Sequence, residues 1–314
     1  MEFLFFSMGC ALIWIGGNFV VDSSSRIARR FNISELIIGL TLVSIGTSLP
    51  EVVVNIIASI KEETSVVLGN ILGSNISNTL LIIGITGIIK PLVIPKYRLK
   101  KELLFYLGAC CLLATNLFIS SNATLFTISG IILIGLFIGS LFLFFKTEDS
   151  SNTNEDQIKT STKTSIVFSI FLFLIGCTLL PLGGNLLVDS AISIATIFGI
   201  SKAFVSLFAV ALGTSLPELV TSVIAAKKGN SQLALGNVIG SNIFNLTLVL
   251  GISSLIFPIQ FNLSFIYNLA IMIGSCIPIT IILLATSRHV FSRRFSIISV
   301  LLYLCYISYI YIGV

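Results

Sequence analysis

The segment GTSLPE occurs twice in the chain, at residues 46–51 and again at residues 213–218. In each copy a proline and a glutamate lie inside a run of apolar residues that is long enough to cross a bilayer. Both residue types are unfavourable there, because proline removes a helical hydrogen bond and a carboxylate loses its hydration. An ionisable residue at such a position usually marks a functional site.

The glutamates of the two copies, Glu51 and Glu218, have no basic partner inside the apolar runs. The nearest basic residue on the second run is Lys202, 16 positions from Glu218. That separation is roughly 24 Å along a helix. The neutralising positive charge is therefore expected to come from solution, as a metal cation or a proton.

The composition indicates a polytopic membrane protein. Of the 314 residues, 55% are hydrophobic and only 10% are charged, which excludes an ordinary soluble domain. The formal net charge of +5 could suggest a nucleic-acid partner, but the basic residues follow membrane topology instead. Membrane lipid, and not nucleic acid, is the expected surrounding partner.

Apolar runs of about 20 residues predict ten membrane spans. With ten spans the loops alternate sides, and every Lys and Arg except Lys61 and Lys202 falls on one side. Basic loops stay in the cytoplasm, so we predict a cytoplasmic-membrane protein with both termini outside. The expected cores are 3–21, 33–60, 64–88, 103–119, 124–145, 166–188, 200–226, 231–256, 265–285 and 295–313.

An internal repeat relates the two halves of the chain. Pro217 lies 167 positions after Pro50, and the same offset aligns glycine, asparagine and aspartate residues without a gap. Chance similarity between apolar helices would match leucine and isoleucine rather than these residue types in order. The aligned pairs include Gly9 with Gly176, Asp22 with Asp189, Asn70 with Asn237, Ser74 with Ser241, Asn75 with Asn242 and Asn78 with Asn245.

Each repeat holds five predicted spans, so the second copy must enter the membrane with the opposite orientation. Inverted repeats of this kind build secondary transporters, whose substrate site lies near the midplane where the copies meet. We predict an all-α membrane fold in which residues 1–145 and 166–314 form two inverted five-helix repeats. Residues 146–165, rich in Ser, Thr, Asn, Glu and Asp, form a cytoplasmic linker too short to be a domain.

Polar groups share one face of the second and seventh spans, at spacings of 3, 4 and 7 residues. Pro50 and Pro217 break the two helices there and free backbone carbonyls. Carbonyl, hydroxyl and carboxylate oxygens are the ligands of hard cations such as Ca²⁺ and Na⁺, and the absence of nearby His or Cys argues against zinc or copper. The positions are Ser44, Thr47, Ser48 and Glu51 in the first repeat and Thr214, Ser215 and Glu218 in the second, where Ala211 occupies the position of Ser44.

The third and eighth spans add a second polar face. Any single Ser or Thr in a membrane helix bonds to its own helix more often than it binds a ligand, so the two glutamates carry the prediction. Asp22 and Asp189 lie near span ends, where they are interfacial, or cap or gate the site. The second face consists of Asn70, Ser74, Ser77 and Asn78, and of Asn237, Ser241 and Asn245.

The doubled GTSLPE and the GNxxGSNxxN string that follows each copy resemble the paired alpha repeats of the calcium/cation antiporter superfamily, especially its sodium/calcium exchanger branch. The similar segments run from about residue 39 to 89 and from about 206 to 256. The resemblance implies a diamond of cation sites between the repeats, exchange of Na⁺ for Ca²⁺ by alternating access, no enzymatic activity, no cofactor and no obligate protein partner.

Position by position, the resemblance implies that Glu51 and Glu218 are shared carboxylate ligands. Some relatives, including potassium-dependent ones, carry Asp where this chain has Asn78 or Asn245, so two acids are expected here. The implied neutral ligands are Thr47, Ser48, Thr214 and Ser215, the carbonyls of Ser44 and Ala211, and Ser74, Asn78, Ser241 and Asn245.

Other functions remain open from the sequence, including a membrane scaffold without transport, which would leave Glu51 and Glu218 unexplained. A Ca²⁺/H⁺ or K⁺-dependent exchanger of the same superfamily would also use buried glutamates, because a proton can neutralise a carboxylate in a dry site. A passive cation channel would use carboxylates and broken helices too, but would conduct without a counter-ion gradient. The GTSLPE string favours Na⁺/Ca²⁺ exchange over proton exchange.

Overall fold

The structure is a computed structural model that describes residues 1–93, 99–118, 123–148, 165–197, 213–259, 264–276 and 290–313. Six of its described helices are long and apolar enough to cross a membrane, and a bent pair of helices makes a seventh span. Two shorter apolar helices lie at Leu104–Thr115 and Ile266–Ser275, within predicted spans. The prediction of an all-α polytopic membrane protein is confirmed.

The described residues of the first repeat form eight α-helical segments and two π-helical turns. The π-helical turns interrupt the second and third spans, at Gly39–Val43 and Ser77–Ile82. The α-helices are α1 (Glu2–Phe31), α2 (Glu35–Ile38), α3 (Ser44–Thr47), α4 (Leu49–Ile60), α5 (Thr64–Ile76), α6 (Ile83–Ile89), α7 (Leu99–Phe118) and α8 (Ala123–Glu148).

The second repeat has six described α-helices and a π-helical turn at Asn245–Val249. A short antiparallel pair of strands, β1 (Leu92–Val93) and β2 (Val290–Phe291), ties the segment after α6 to the segment before the last helix. The helices are α9 (Ile166–Ile197), α10 (Leu216–Lys227), α11 (Ser231–Phe244), α12 (Leu250–Ile256), α13 (Ser264–Ser275) and α14 (Arg293–Gly313).

The observed helices differ from the predicted cores mainly at their ends. Helix α1 continues past residue 21 through a polar segment to Phe31, and Asn32 ends it in the left-handed conformation, with φ 54°. Hydropathy detects only the part of a helix inside the bilayer, which explains the shorter prediction. Most of the predicted linker and the first half of the seventh span lie outside the described residues.

The first helices of the two repeats, α1 and α9, cross along a seam of glycines. A Cβ atom on Gly9 would lie 2.8 Å from the backbone nitrogen of Leu187 and 2.9 Å from the carbonyl oxygen of Gly183. A Cβ atom on Gly176 would lie 2.8 Å from the carbonyl oxygen of Gly16. Because Gly9 aligns with Gly176 and Gly16 with Gly183, the seam obeys the repeat symmetry and requires glycine for close approach.

Polarity is arranged as a bilayer requires. Large apolar side chains such as Ile131, Phe142 and Leu174 are more than half exposed on the outer surfaces of α8 and α9. Buried positions between α4, α5, α10 and α11 hold carboxylate, amide and hydroxyl groups instead. Lipid replaces water as the solvent of the outer surface, so the polar groups gather at the centre of the helix bundle.

Candidate functional site

The second span breaks just before Pro50, and the described part of the seventh span has the same backbone geometry just before Pro217. Helix α3 ends at Thr47, α4 begins at Leu49, and the two halves of the span meet at a bend of 48°. Ser48 (φ −89°, ψ 10°) and Ser215 (φ −89°, ψ 1°) have the same non-helical conformation, and each precedes a helix with proline in its first turn. The repeated SLPE sequence therefore folds the same way twice.

The break places each glutamate in the first turn of a new helix, Glu51 in α4 and Glu218 in α10. Free backbone N–H groups and the helix dipole favour negative charge at that end of a helix. The exposed fraction of Glu51 is 1% and that of Glu218 is 0%, so neither carboxylate reaches bulk solvent. Ser48, three positions before Glu51, bonds the carboxylate of Glu218 at 2.8 Å, so the two glutamates lie in one buried region.

Hydrogen bonds connect the two repeats around these carboxylates. The hydroxyl of Ser48 lies 2.8 Å from Oε1 of Glu218 and 2.9 Å from the hydroxyl of Ser241. The first repeat thus supplies a hydroxyl to the glutamate of the second, so the two copies build one site rather than two.

A second pair of contacts across the repeats follows the 167-residue offset. Thr47 donates to Oδ1 of Asn237 at 3.0 Å, and Thr214 donates to Oδ1 of Asn70 at 3.4 Å. Asn237 in turn donates to the carbonyl oxygen of Glu218 at 3.3 Å. These amides hold the broken segments of the two repeats against each other.

Several buried oxygens around the glutamates lack a hydrogen-bond donor among the described residues. Buried acceptors without donors are uncommon in folded proteins, and a cation can satisfy several of them at once. This set combines carboxylate, hydroxyl and amide oxygens from both repeats. The atoms are Oε2 of Glu51, Oε2 of Glu218, Oγ of Ser215, Oδ1 of Asn78 and Oδ1 of Asn245.

Neither glutamate is neutralised by a basic side chain in the part of the chain that the structure describes. The one ion pair found there joins Lys228 to Asp22, at 2.6 Å, and involves neither Glu51 nor Glu218. The sequence-based expectation that positive charge comes from solution is therefore consistent with the described geometry.

The other predicted ligands take different positions. The hydroxyl of Ser44 donates to the carbonyl of Leu40 at 2.9 Å, and that of Ser74 donates to the carbonyl of Asn70 at 2.7 Å. The carbonyl of Ser44 already accepts the backbone N–H of Ser48 at 3.0 Å. These two serines bond within their own helices, and the predicted ligand Ala211 lies outside the described residues.

Two features of the site, the π-helical turns that hold Asn78 and Asn245 and the contacts of Asn242, were not predicted from the sequence. Asn78 and Asn245 lie in π-helical turns, which often occur at functional sites and carry no clear sequence signal. Asn242 donates to the hydroxyl of Thr79 and accepts from Asn78, and so belongs to the polar network. The repeat alignment makes Asn242 the equivalent of Asn75, but it does not predict that Asn242 contacts Asn78.

Comparison with known proteins gives a family. The model of the family described as sodium/calcium exchanger protein matches residues 1–146 and 168–312. The match covers both repeats and leaves out only the segment between them and the last residues.

Individual relatives agree with this match. Inner membrane protein YrbG of Escherichia coli K12 is 36% identical over 255 residues, which are 80% of this chain and 78% of that protein. The sodium/calcium exchanger MaX1 of Methanosarcina acetivorans is 31% identical over 311 residues, covering 87% of this chain and 89% of that one.

A solved structure extends the agreement to three dimensions. The sodium-calcium exchanger NCX_Mj, soaked without Na⁺ and Ca²⁺, superposes with a TM-score of 0.83 and 31% identity, and covers 98% of both chains. Its ten-helix repeat fold matches the predicted pair of inverted five-helix repeats. This chain belongs to the sodium/calcium exchanger family of membrane antiporters.

Proposed function

We propose that this protein is a secondary active antiporter that exchanges Na⁺ for Ca²⁺ across the cytoplasmic membrane by alternating access. One observation carries the proposal: Glu51 and Glu218 are buried together without a described basic partner, and each keeps one carboxylate oxygen free. Cargo cations would bind these oxygens at the midplane, with neutral oxygens of both repeats completing the coordination.

The charges make the two ions compete. Two carboxylates are balanced by one Ca²⁺ or by Na⁺ ions, but binding both sets together would leave excess positive charge in a region of low dielectric constant. The empty site carries two unbalanced buried charges, so moving it across the membrane is costly. Competition together with that barrier couples the inward movement of one ion to the outward movement of the other.

The glycine seam between α1 and α9 supports a sliding mechanism. Close backbone packing along the seam holds α1 and α9 together, so the two helices can move as one unit against the rest of the bundle. We propose that α1 and α9 switch access between the two membrane faces, with residues 1–145 and 166–314 as the two repeats and residues 146–165 as a cytoplasmic linker. Both termini would then lie outside.

Transport by purified protein in lipid vesicles tests the proposal. Vesicles loaded with Na⁺ and diluted into Na⁺-free medium should accumulate ⁴⁵Ca²⁺, and matched vesicles loaded with choline should not. A third set with a pH gradient and no Na⁺ gradient separates proton exchange. Uptake driven only by the pH gradient, or uptake that needs no counter-ion gradient, would contradict Na⁺/Ca²⁺ antiport.

A further inference from the structure

A chain of buried hydrogen bonds links the two repeats beside Asn78. The hydroxyl of Thr79 donates to the backbone carbonyl of Asn75 at 2.9 Å. The side-chain NH₂ of Asn242 donates to the hydroxyl of Thr79 at 2.8 Å, and the NH₂ of Asn78 donates to the carbonyl oxygen of Asn242 at 3.0 Å. The exposed fraction of each of the three side chains is 4% or less.

The direction of every bond in this chain follows from its first member. A backbone carbonyl can only accept a hydrogen bond, so the hydroxyl of Thr79 must donate its single proton to the carbonyl of Asn75. That hydroxyl can then only accept a hydrogen bond from Asn242. The amide of Asn242 must present its NH₂ to Thr79, which leaves its oxygen for Asn78. Asn78 must therefore present NH₂ to Asn242, and its own oxygen stays buried without a partner among the described residues.

We infer that Thr79 and Asn242 are positioning residues that hold the side-chain oxygen of Asn78 available for a cation. The inference rests on the proposed function, in which Asn78 is a ligand. Without the chain of bonds, the amide could rotate by half a turn and offer NH₂, which repels a cation. With it, Asn78 is oriented before the ion arrives, so no binding energy is spent on turning the amide.

The described residues of the second repeat do not form the equivalent chain of hydrogen bonds. The 167-residue offset places Leu246 at the position of Thr79, and Asn75 donates to the carbonyl of Ile71 at 2.7 Å instead of accepting from Asn245. Neither the oxygen nor the nitrogen of the Asn245 side chain has a described partner. The orientation of Asn78 is thus fixed by the protein, whereas that of Asn245 is left for the bound ion to determine.

Substitution of Thr79 tests the positioning role. Thr79→Val keeps the shape and removes the hydroxyl, so the KM for Ca²⁺ in Na⁺-driven uptake should rise about ten-fold, as for loss of an outer-shell partner of a metal ligand. Thr79→Ser keeps the hydroxyl and should retain the wild-type KM. Leu246→Val, a change at the equivalent position that removes no hydrogen bond, should leave the KM unchanged.

The outcomes separate this inference from the proposed function. Absence of Na⁺-driven uptake by the wild-type protein would refute the function. Normal wild-type uptake with an unchanged KM in Thr79→Val would refute the positioning role alone, and a lower maximal rate without a change in KM would indicate a purely structural role and also refute it. If Thr79→Val is not recovered as a folded protein, Thr79→Ala provides the same comparison.

Charged residues at the ends of the spans form a second, independent contact between helices of the two repeats. Lys228, after α10, forms an ion pair with Asp22 of α1 at 2.6 Å. The repeat offset relates Lys228 to Lys61 and Asp22 to Asp189. Lys61 follows α4 and Asp189 belongs to α9, both are exposed, and they form no ion pair among the described residues. Because the repeats are inverted, the two pairs lie on opposite faces of the membrane.

The geometry points to a pair of alternating latches. Asp22 with Lys228 ties α1 to the end of α10 in the present conformation, and Asp189 with Lys61 would tie α9 to the end of α4 when access switches to the other face. In each conformation one latch is closed and the other is open. Both latches join a proposed sliding helix to the part of the bundle that holds a glutamate.

Charge-removing substitutions test the latches in the intact protein. Lys228→Gln weakens the present conformation, and Lys61→Gln weakens the opposite one. The apparent Ca²⁺ affinity measured from one face should therefore rise in one variant and fall in the other, by about 1.5- to 5-fold for exposed ion pairs. The exchange Asp22→Lys/Lys228→Asp should restore the wild-type value. Shifts in the same direction, or no shift with Lys61→Gln, would overturn the inference.

Discussion

Ser48 and Ser215 occupy equivalent positions but have different contacts, which gives a sharp prediction. The hydroxyl of Ser48 bonds the carboxylate of Glu218 at 2.8 Å, whereas the hydroxyl of Ser215 has no described partner. Both side chains are buried, with exposed fractions of 0% and 2%. Substitution by alanine removes the same hydroxyl from the same backbone geometry at both positions. Only Ser48→Ala also removes a hydrogen bond to a carboxylate.

A hydrogen bond to a charged group contributes about 1.5–3 kcal/mol. Ser48→Ala should therefore lower the free energy of unfolding of the cation-free protein by at least about 1.5 kcal/mol, because the buried carboxylate of Glu218 loses a donor. Ser215→Ala breaks no described hydrogen bond, so it should lower the free energy of unfolding much less than Ser48→Ala. In thermal unfolding, the expected lowering for Ser48→Ala is on the order of 3–6 °C.

Thermal unfolding of detergent-purified protein without Na⁺ and with a calcium chelator measures this difference. A second series with added Ca²⁺ measures ligation separately, since a bound ion raises the unfolding midpoint in proportion to its affinity. As both serines are proposed ligands, both variants should gain less from Ca²⁺ than the wild type. Equal losses of stability in the cation-free protein would refute the assigned hydrogen bond, and undiminished stabilisation by Ca²⁺ would refute ligation by that serine.

Three further predictions concern other parts of the chain. Glu51→Gln and Glu218→Gln should each abolish Na⁺-driven ⁴⁵Ca²⁺ uptake while the elution volume in size-exclusion chromatography stays unchanged; a fully active double variant would contradict their role. Gly9→Ala should destabilise the protein by about 1–3 kcal/mol in thermal unfolding, because its Cβ would lie 2.8 Å from the backbone of the opposite helix. Gly69→Ala is the control, because the position of its Cβ is open space. Asn230→Ala should cost about 1–2 kcal/mol in the same assay, because the side chain caps α11 at 3.0 Å, and an unchanged midpoint would rule out that cap.

Most of the fold could be predicted from the sequence, because hydropathy and the repeat each constrain it strongly. Apolar runs located the spans, the offset between Pro50 and Pro217 revealed the repeat, and the odd number of spans in each copy implied their inverted relation. Helix ends were less predictable, as the polar extension of α1 to Phe31 demonstrates. Once a helix leaves the bilayer, its length depends on local capping and packing, which hydropathy does not record.

The candidate site was predictable in its charges and less so in its neutral groups. A buried carboxylate is costly enough that Glu51 and Glu218 stand out in the sequence. A serine or asparagine in a membrane helix costs much less, and its partner depends on distances between helices. The contact of Asn78 with Asn242 joins different positions of different repeats, so an alignment of equivalent residues does not reveal it.

The repeats are equivalent in sequence at some positions where they differ in contacts, and this distinguishes two kinds of asymmetry. Ser48 and Ser215 are both serines, but only Ser48 has a described hydrogen bond to a glutamate. Asp22 and Asp189 are both aspartates, but only Asp22 has a described ion pair. Where residues are identical, a difference belongs to the conformation, and alternating access should reverse it. Thr79 and Leu246 differ chemically, so the fixed orientation of Asn78 should persist in both conformations. The transporter would then present one pre-oriented amide and one adjustable amide to the cation from whichever face it enters.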